Sequence, residues 1–279
     1  MKKIISIIMA VAMIVCFASV VSAADAGKVL AHYTFDENKA DSGLTAEGNV
    51  TFADGAAAFD GDSSWLKSDA SLAGLNAITV AVRAKGLTNI GGGGQWIYDI
   101  TSQETHNGGE YYFGLFYENG VLHAEAYAGS RPAGSGINVD VEDGDDAVEI
   151  VVTYSAEKVF SVYINGELAG SSEVTEDGFD LASILGESPV LQLGKCNWDS
   201  GYYANGLVID EVVVYNTALS EKEVAGAFTV ENAPADGGNT DDTTGGKGPE
   251  TAPQTGFATI ALAVAAIGSG AYIVSKKRH

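Results

Sequence analysis

The chain has 279 residues, with 37 Asp and Glu against 15 Lys and Arg and a formal charge of −22. So acidic a chain repels phosphate backbones and anionic surfaces, which excludes nucleic acid as a partner. Its two cysteines, Cys16 and Cys196, exclude a disulfide framework and a cysteine-based metal site.

At the N-terminus Lys2 and Lys3 precede an apolar stretch from Ile4 to Val21, closed by Val21-Ser22-Ala23. This pattern is that of a secretory signal peptide, residues 1–23, with cleavage after Ala23. An extracellular location follows, and a domain without disulfides must then rest on its core.

Residues 28–230 carry glycine and turn signals every ten or so positions, with short β-rich segments between them. Strands are expected at Val29–Phe35, Ile78–Ala84, Gln95–Thr101, Tyr111–Tyr117, Val121–Tyr127, Val148–Tyr154, Val159–Asn165, Val190–Gly194 and Leu207–Tyr215. Asn119-Gly120 and Asn165-Gly166 each mark a hairpin, because both residues accept the positive φ of a type I′ turn. In Val159–Ile164, Phe160, Val162 and Ile164 form one strongly apolar face. Regular short strands of this kind predict an all-β, antiparallel two-sheet sandwich rather than a parallel sheet. One helix is expected at Ser220–Phe228, with Ser220 and Glu223 as a capping box.

Residues 231–251 are Gly, Asp, Thr, Asn and Pro without apolar periodicity, the composition of a disordered spacer. Residues 252–279 follow: Ala252-Pro253-Gln254-Thr255-Gly256, an apolar run from Phe257 to Val274, then Lys276, Lys277 and Arg278. The run is long enough to span a bilayer, which takes roughly 17–25 residues, and the bases would stay in the cytoplasm. This order resembles the LPXTG-like cell-wall sorting signal of Gram-positive surface proteins, with Ala252 where that signal has Leu. The resemblance implies a sortase that cuts between Thr255 and Gly256 and transfers Thr255 to peptidoglycan. The membrane would hold the chain through its C-terminal segment only until sorting. A plain single-pass anchor is the alternative.

Three stretches of the domain resemble the laminin-G-like branch of the concanavalin A-like lectin/glucanase superfamily. They are Ala31–Glu37 with Ala57–Asp62; Ile150–Tyr154 leading to Val162–Leu168; and Leu191–Gly194 with Gly206–Val212, Val214–Asn216 and Ala218–Ser220. The resemblance implies a jelly roll with one concave face. It also implies a structural Ca²⁺ between the N-terminal strand and the closing Ile-Asp-Glu strand, where Asp36 and Asp210 match the ligand positions.

Sugar binding on this type of fold combines aromatic platforms with hydrogen-bonding groups. The candidate ligand-binding residues are Trp96, Tyr98, Tyr112, Arg131, Trp198, Tyr202 and Tyr203. Alternation along Tyr111–Tyr117 sends Phe113, Leu115 and Tyr117 to the core and Tyr112, Gly114 and Phe116 to the open face. Arg131 is a rare base in the Gly129–Gly136 loop, and Trp198 and Tyr202 share a polar loop before the closing strand. Catalysis finds little support: the Glu-x-Asp of laminarinase-type glucanases is absent from the sequence, and so is a Gly-x-Ser-x-Gly elbow. The expected function is glycan binding, as an adhesin or capture module on the surface of a Gram-positive cell. A protein-interaction module on the same loops is the alternative, and a glycosidase comes third.

Overall fold

The structure is a computed structural model that describes residues 28–102, 111–198 and 202–230. All of these lie in the first of two units of the chain, Met1–Pro234. The segments expected to be a signal peptide, a spacer and a sorting signal, residues 1–23, 231–251 and 252–279, lie outside the described residues. No helix among the described residues is long and apolar enough to cross a membrane.

The domain is an all-β sandwich of two antiparallel sheets, jelly-roll-like in its layering. The strands in chain order are β1 (Val29–Tyr33), β2 (Leu44–Glu47), β3 (Thr51–Ala53), β4 (Ala56–Asp60), β5 (Trp65–Ser68), β6 (Ile78–Lys85), β7 (Gln95–Thr101) and β8 (Tyr111–Glu118). They continue with β9 (Val121–Ala128), β10 (Gly136–Asp140), β11 (Val148–Tyr154), β12 (Val159–Ile164), β13 (Glu167–Glu173), β14 (Val190–Leu193) and β15 (Asn205–Tyr215). One sheet runs β13-β12-β11-β6-β15-β4-β3, with β1 added on β15; the other runs β10-β9-β8-β7-β14-β5-β2. Two short helices, α1 (Leu181–Leu185) and α2 (Glu221–Val224), complete the described elements.

All nine expected strands are present, shifted at their ends by two residues or fewer. Both Asn-Gly pairs turn as expected, with φ of 53° and 82° at Asn119 and Gly120 and 51° and 82° at Asn165 and Gly166. The helix after Ser220 is shorter than expected, but its box is formed: the Ser220 N–H and hydroxyl donate to the Glu223 carboxylate at 2.8 and 2.6 Å.

The core lies between the sheets. Phe160 and Val162 enter it from β12, as do Ile78, Val80 and Val82 from β6 and Phe113, Leu115 and Tyr117 from β8. Strand β6 is buried on both faces at Thr79 and Ala81 because the segment around α2 covers the sheet's outer side. Ala81, Val151, Val213 and Tyr215 pack there on Leu219, Val224 and Ala227. The second sheet leaves its outer face to other work, and the site is built there.

Candidate functional site

The outer face of β7 and β8 is shaped by one inserted residue. Trp96 pairs with Phe116 and Tyr98 with Leu115, so Ile97 is extra, a β-bulge. Simple alternation would put Trp96 and Tyr98 on the same side. The bulge turns them apart: Trp96 stays on the outer face, while Tyr98 enters the core, fully buried, beside Phe113. The expectation of Tyr98 as a ligand residue is therefore corrected, since its ring faces the opposite sheet.

Trp96 lies across the strand next to it. Its indole stacks on Phe116 with centroids 4.7 Å apart and meets Tyr112 edge-on at 5.5 Å. The ring fits because residue 114 has no side chain; a Cβ there would sit 2.6 Å from Trp96 Cζ3. The indole N–H donates to the Gly93 carbonyl at 2.9 Å, which fixes the ring in its plane. On its other face Phe116 stacks on His123, centroids 4.6 Å apart.

The opposite wall comes from the connection between β14 and β15. Trp198 and Tyr202 meet there in an edge contact at 5.8 Å, and Tyr202 packs against Gly93, where a Cβ would run into its ring. The start of this connection is fastened to the sheet from below. The Asn197 N–H donates to Asp99 Oδ2 at 2.7 Å, and its side-chain amide donates to Thr101 Oγ1 at 3.0 Å. Asp99 and Asn197 are fully buried, and among the described residues Asp99 Oδ1 and Asn197 Oδ1 find no partner. Burial holds the Asp99 carboxyl well above its usual range, against the Asn197 N–H and Lys195, which favour the ionised form. Cys196 is buried against Trp96 and Tyr112, and burial pushes its thiol up to about 12, so it is a packing residue and no nucleophile.

Between the walls is a cavity of about 140 Å³ lined by Gly93, Trp96, Phe116, Glu118, Glu125, Arg131, Trp198 and Tyr202. Four of the seven predicted ligand residues, Trp96, Arg131, Trp198 and Tyr202, thus converge on one site from three separate segments. Tyr112 is not an open platform. It is fully buried under the site, where its hydroxyl donates to Glu125 and accepts from Arg131 Nη2 at 2.5 Å. Desolvation, and then the Glu125 charge, push that phenol well up, so it stays a neutral linker. Arg131 also donates to Glu125 at 2.9 Å and lies over the Tyr127 ring at 5.2 Å. Tyr203 is half-buried and does not line the cavity. Phe116 lies on the open face that alternation assigns it, while Glu118 and Glu125 escaped the sequence reading. Carrying the outward alternation of Tyr112 through the Asn119-Gly120 turn finds them, because Gly114 pairs with Glu125.

A second, polar cleft of about 390 Å³ opens elsewhere, lined by Thr34, Asp36, Asp54, Gly55, Arg83, Asp210 and Glu211. Both predicted calcium ligands, Asp36 and Asp210, are in it. Arg83 lies there too, bonded to Glu211 at 2.5 Å and Glu149 at 2.8 Å. Among the described residues no three of His, Cys, Asp and Glu converge as a ready-made metal-ligand group.

Several solved structures share the fold at low identity. The receptor binding domain of botulinum neurotoxin type G is 11% identical, with a TM-score of 0.53 over 73% of this chain and 51% of that one. The binding domain of botulinum neurotoxin DC, solved in complex with rat synaptotagmin II, is 14% identical, with a TM-score of 0.53 over 73% and 52%. The same domain in complex with SialylT is also 14% identical, with a TM-score of 0.53 over 73% and 52%. The chain thus spans about half the length of these structures. No curated protein matches it. A family model does match residues 59–225, more than half of the chain, and strands β5 to β15 with the closing Ile-Asp-Glu segment lie within that match. The chain belongs to the Laminin_G_3 family of the concanavalin A-like lectin/glucanases superfamily.

Proposed function

We propose that the domain is a carbohydrate-binding module and that the cavity between Trp96 and Trp198 is its ligand site. The observation that carries this is the convergence there of four aromatic rings with Glu118, Glu125 and Arg131. Such a mixture of apolar walls and a few oriented polar groups is what small-ligand sites are made of. The indole N–H of Trp198, buried without an acceptor among the described residues, supports a ligand oxygen as its partner. The complex of a fold relative with SialylT points the same way.

A protein ligand on the same loops is the second reading, favoured by the relative bound to rat synaptotagmin II. We read the domain as non-enzymatic. Glu118 pairs with Val121, four residues before Glu125, so the two carboxylates start roughly 13 Å apart along the strand. Retaining and inverting glycosidases hold theirs within about 5–9.5 Å, and Glu125 is already engaged by Tyr112 and Arg131.

In this reading the mature protein is secreted through residues 1–23, carried on the 231–251 spacer, and joined to the wall of a Gram-positive cell at Thr255 by a sortase. The support is the order of these segments in the sequence. A structural Ca²⁺ is part of the proposal: Asp36 and Asp210 would hold it with backbone carbonyls, oxygen donors of the kind this cation takes.

The test is a glycan array probed in calcium and again in EDTA. Binding is expected in calcium, and Trp198→Ala should cost about 2 kcal/mol or more, as central aromatic anchors do. Silence under both conditions would overturn the carbohydrate reading in favour of a protein ligand. A melting temperature that calcium leaves unchanged, in the wild type as in Asp210→Asn, would overturn the metal.

A further inference from the structure

We propose that the cavity selects a protonated amine, so that the glycan it holds carries an unacetylated hexosamine; this rests on the carbohydrate reading above. Trp96, Phe116, Trp198 and Tyr202 contribute four rings to a volume of about 140 Å³. That is well below the roughly 300–1,000 Å³ of a typical drug-sized site. A site so small grips one residue of a polymer, and that residue's substituents decide the affinity. Ring faces are electron-rich and attract a cation lying within about 6 Å of the centroid; Phe116 is stacked between Trp96 and His123, so this attraction falls to Trp96, Trp198 and Tyr202.

The charges on the wall have the same preference. Two carboxylates, Glu118 and Glu125, line the cavity against one guanidinium, Arg131. Arg131 is already committed to Glu125 at 2.9 Å, to the Tyr112 hydroxyl at 2.5 Å and to the Tyr127 ring. Glu118 makes no ion pair among the described residues and remains to compensate a ligand charge. An anionic sugar would have to take Arg131 from Glu125 while facing Glu118. A neutral sugar gains the apolar contacts and the Trp198 N–H but brings no charge to Glu118. An ammonium group gains the rings and Glu118 together, in a chain whose overall charge of −22 already draws cations.

The test titrates the full-length chain, followed by calorimetry, with three oligosaccharides of equal length: a glucosamine oligomer, its N-acetylated counterpart and a cello-oligomer. Choline serves as a sugar-free cation. The glucosamine oligomer is expected to bind about tenfold tighter than either neutral oligomer. That preference should vanish as pH is raised through the sugar amine's own pKa. Glu118→Gln, a half-exposed conservative change, should cut the preference severalfold. Equal or tighter binding of the neutral oligomers would overturn the amine assignment and leave the carbohydrate reading standing. Choline binding with no oligosaccharide binding would overturn the carbohydrate reading and with it the hexosamine. Failure of all four to bind would overturn both.

Discussion

Gly114→Ala tests the architecture of the site at a single atom. The added Cβ would lie 2.6 Å from Trp96 Cζ3, 3.3 Å from the Tyr98 carbonyl and 3.4 Å from Tyr112 Cδ2. Only the first of these is a contact that Cβ atoms do not make, so the indole must move. It is held by Phe116 on one side and by its hydrogen bond to Gly93 on the other. Overpacking of this kind costs about 1–3 kcal/mol. For a domain of about 200 residues that is a fall in melting temperature of roughly 2–12 °C. The assay is a double-mutant cycle followed by thermal unfolding. In a Trp96→Ala background the collision is gone, and Gly114→Ala should be neutral or stabilising by up to about 1 kcal/mol, because a strand interior prefers Ala to Gly. If Gly114→Ala costs the same in both backgrounds, Trp96 is not what the glycine makes room for. Unchanged stability in the wild-type background would refute the packing argument outright.

Two pH-dependent predictions follow from the buried and capping carboxylates. Burial raises the Asp99 carboxyl above its ordinary 3.8, so ionisation costs stability as pH rises from there. Asp99→Asn should therefore match the wild type in acid and become the more stable of the two as pH rises, read from urea midpoints across roughly pH 3 to pH 8. A gain that is constant with pH would show that Asp99 is not the titrating group. Glu223 is depressed from 4.5 to about 2 by the Ser220 hydroxyl and N–H and by Lys28. Its stabilisation is present above pH 4.5 and lost as pH falls toward 2. Glu223→Gln should cost about 1 kcal/mol at neutral pH, and the difference should close across that window.

What the sequence disclosed and what it hid divide along physical lines. Strands with one apolar face, such as β12 and β8, were legible because period two with large side chains has no other reading. Strands β10 and β13 were not. They are edges whose side chains are mostly exposed, so burial left little pattern on Gly136–Asp140 or Glu167–Glu173. At the site, Trp96, Arg131, Trp198 and Tyr202 were recognisable by type, since bulky aromatics and a scarce base in polar loops have few structural uses. Tyr98 was misread because a bulge changes which face a residue takes without changing its identity. Glu125 was missed because one acid among 37 carries no signal until the hairpin register sets it beside Tyr112.

The extra residue at Ile97 also governs how this surface can diverge. Upstream of it, Trp96 of β7 answers to the site; downstream, alternate side chains answer to the opposite sheet. Point substitution can vary Trp96 without touching the core, and so can adjust what the face prefers in small steps. Recruiting Tyr98 to that face would take a residue inserted in β8 between Leu115 and Phe116, giving Ile97 a partner and restoring strict alternation, which would also carry Ile100 out of the core and bring Asp99 into it. The domain is thus free to change its preferences by substitution, while the boundary between its two faces can be moved only by gain or loss of a residue.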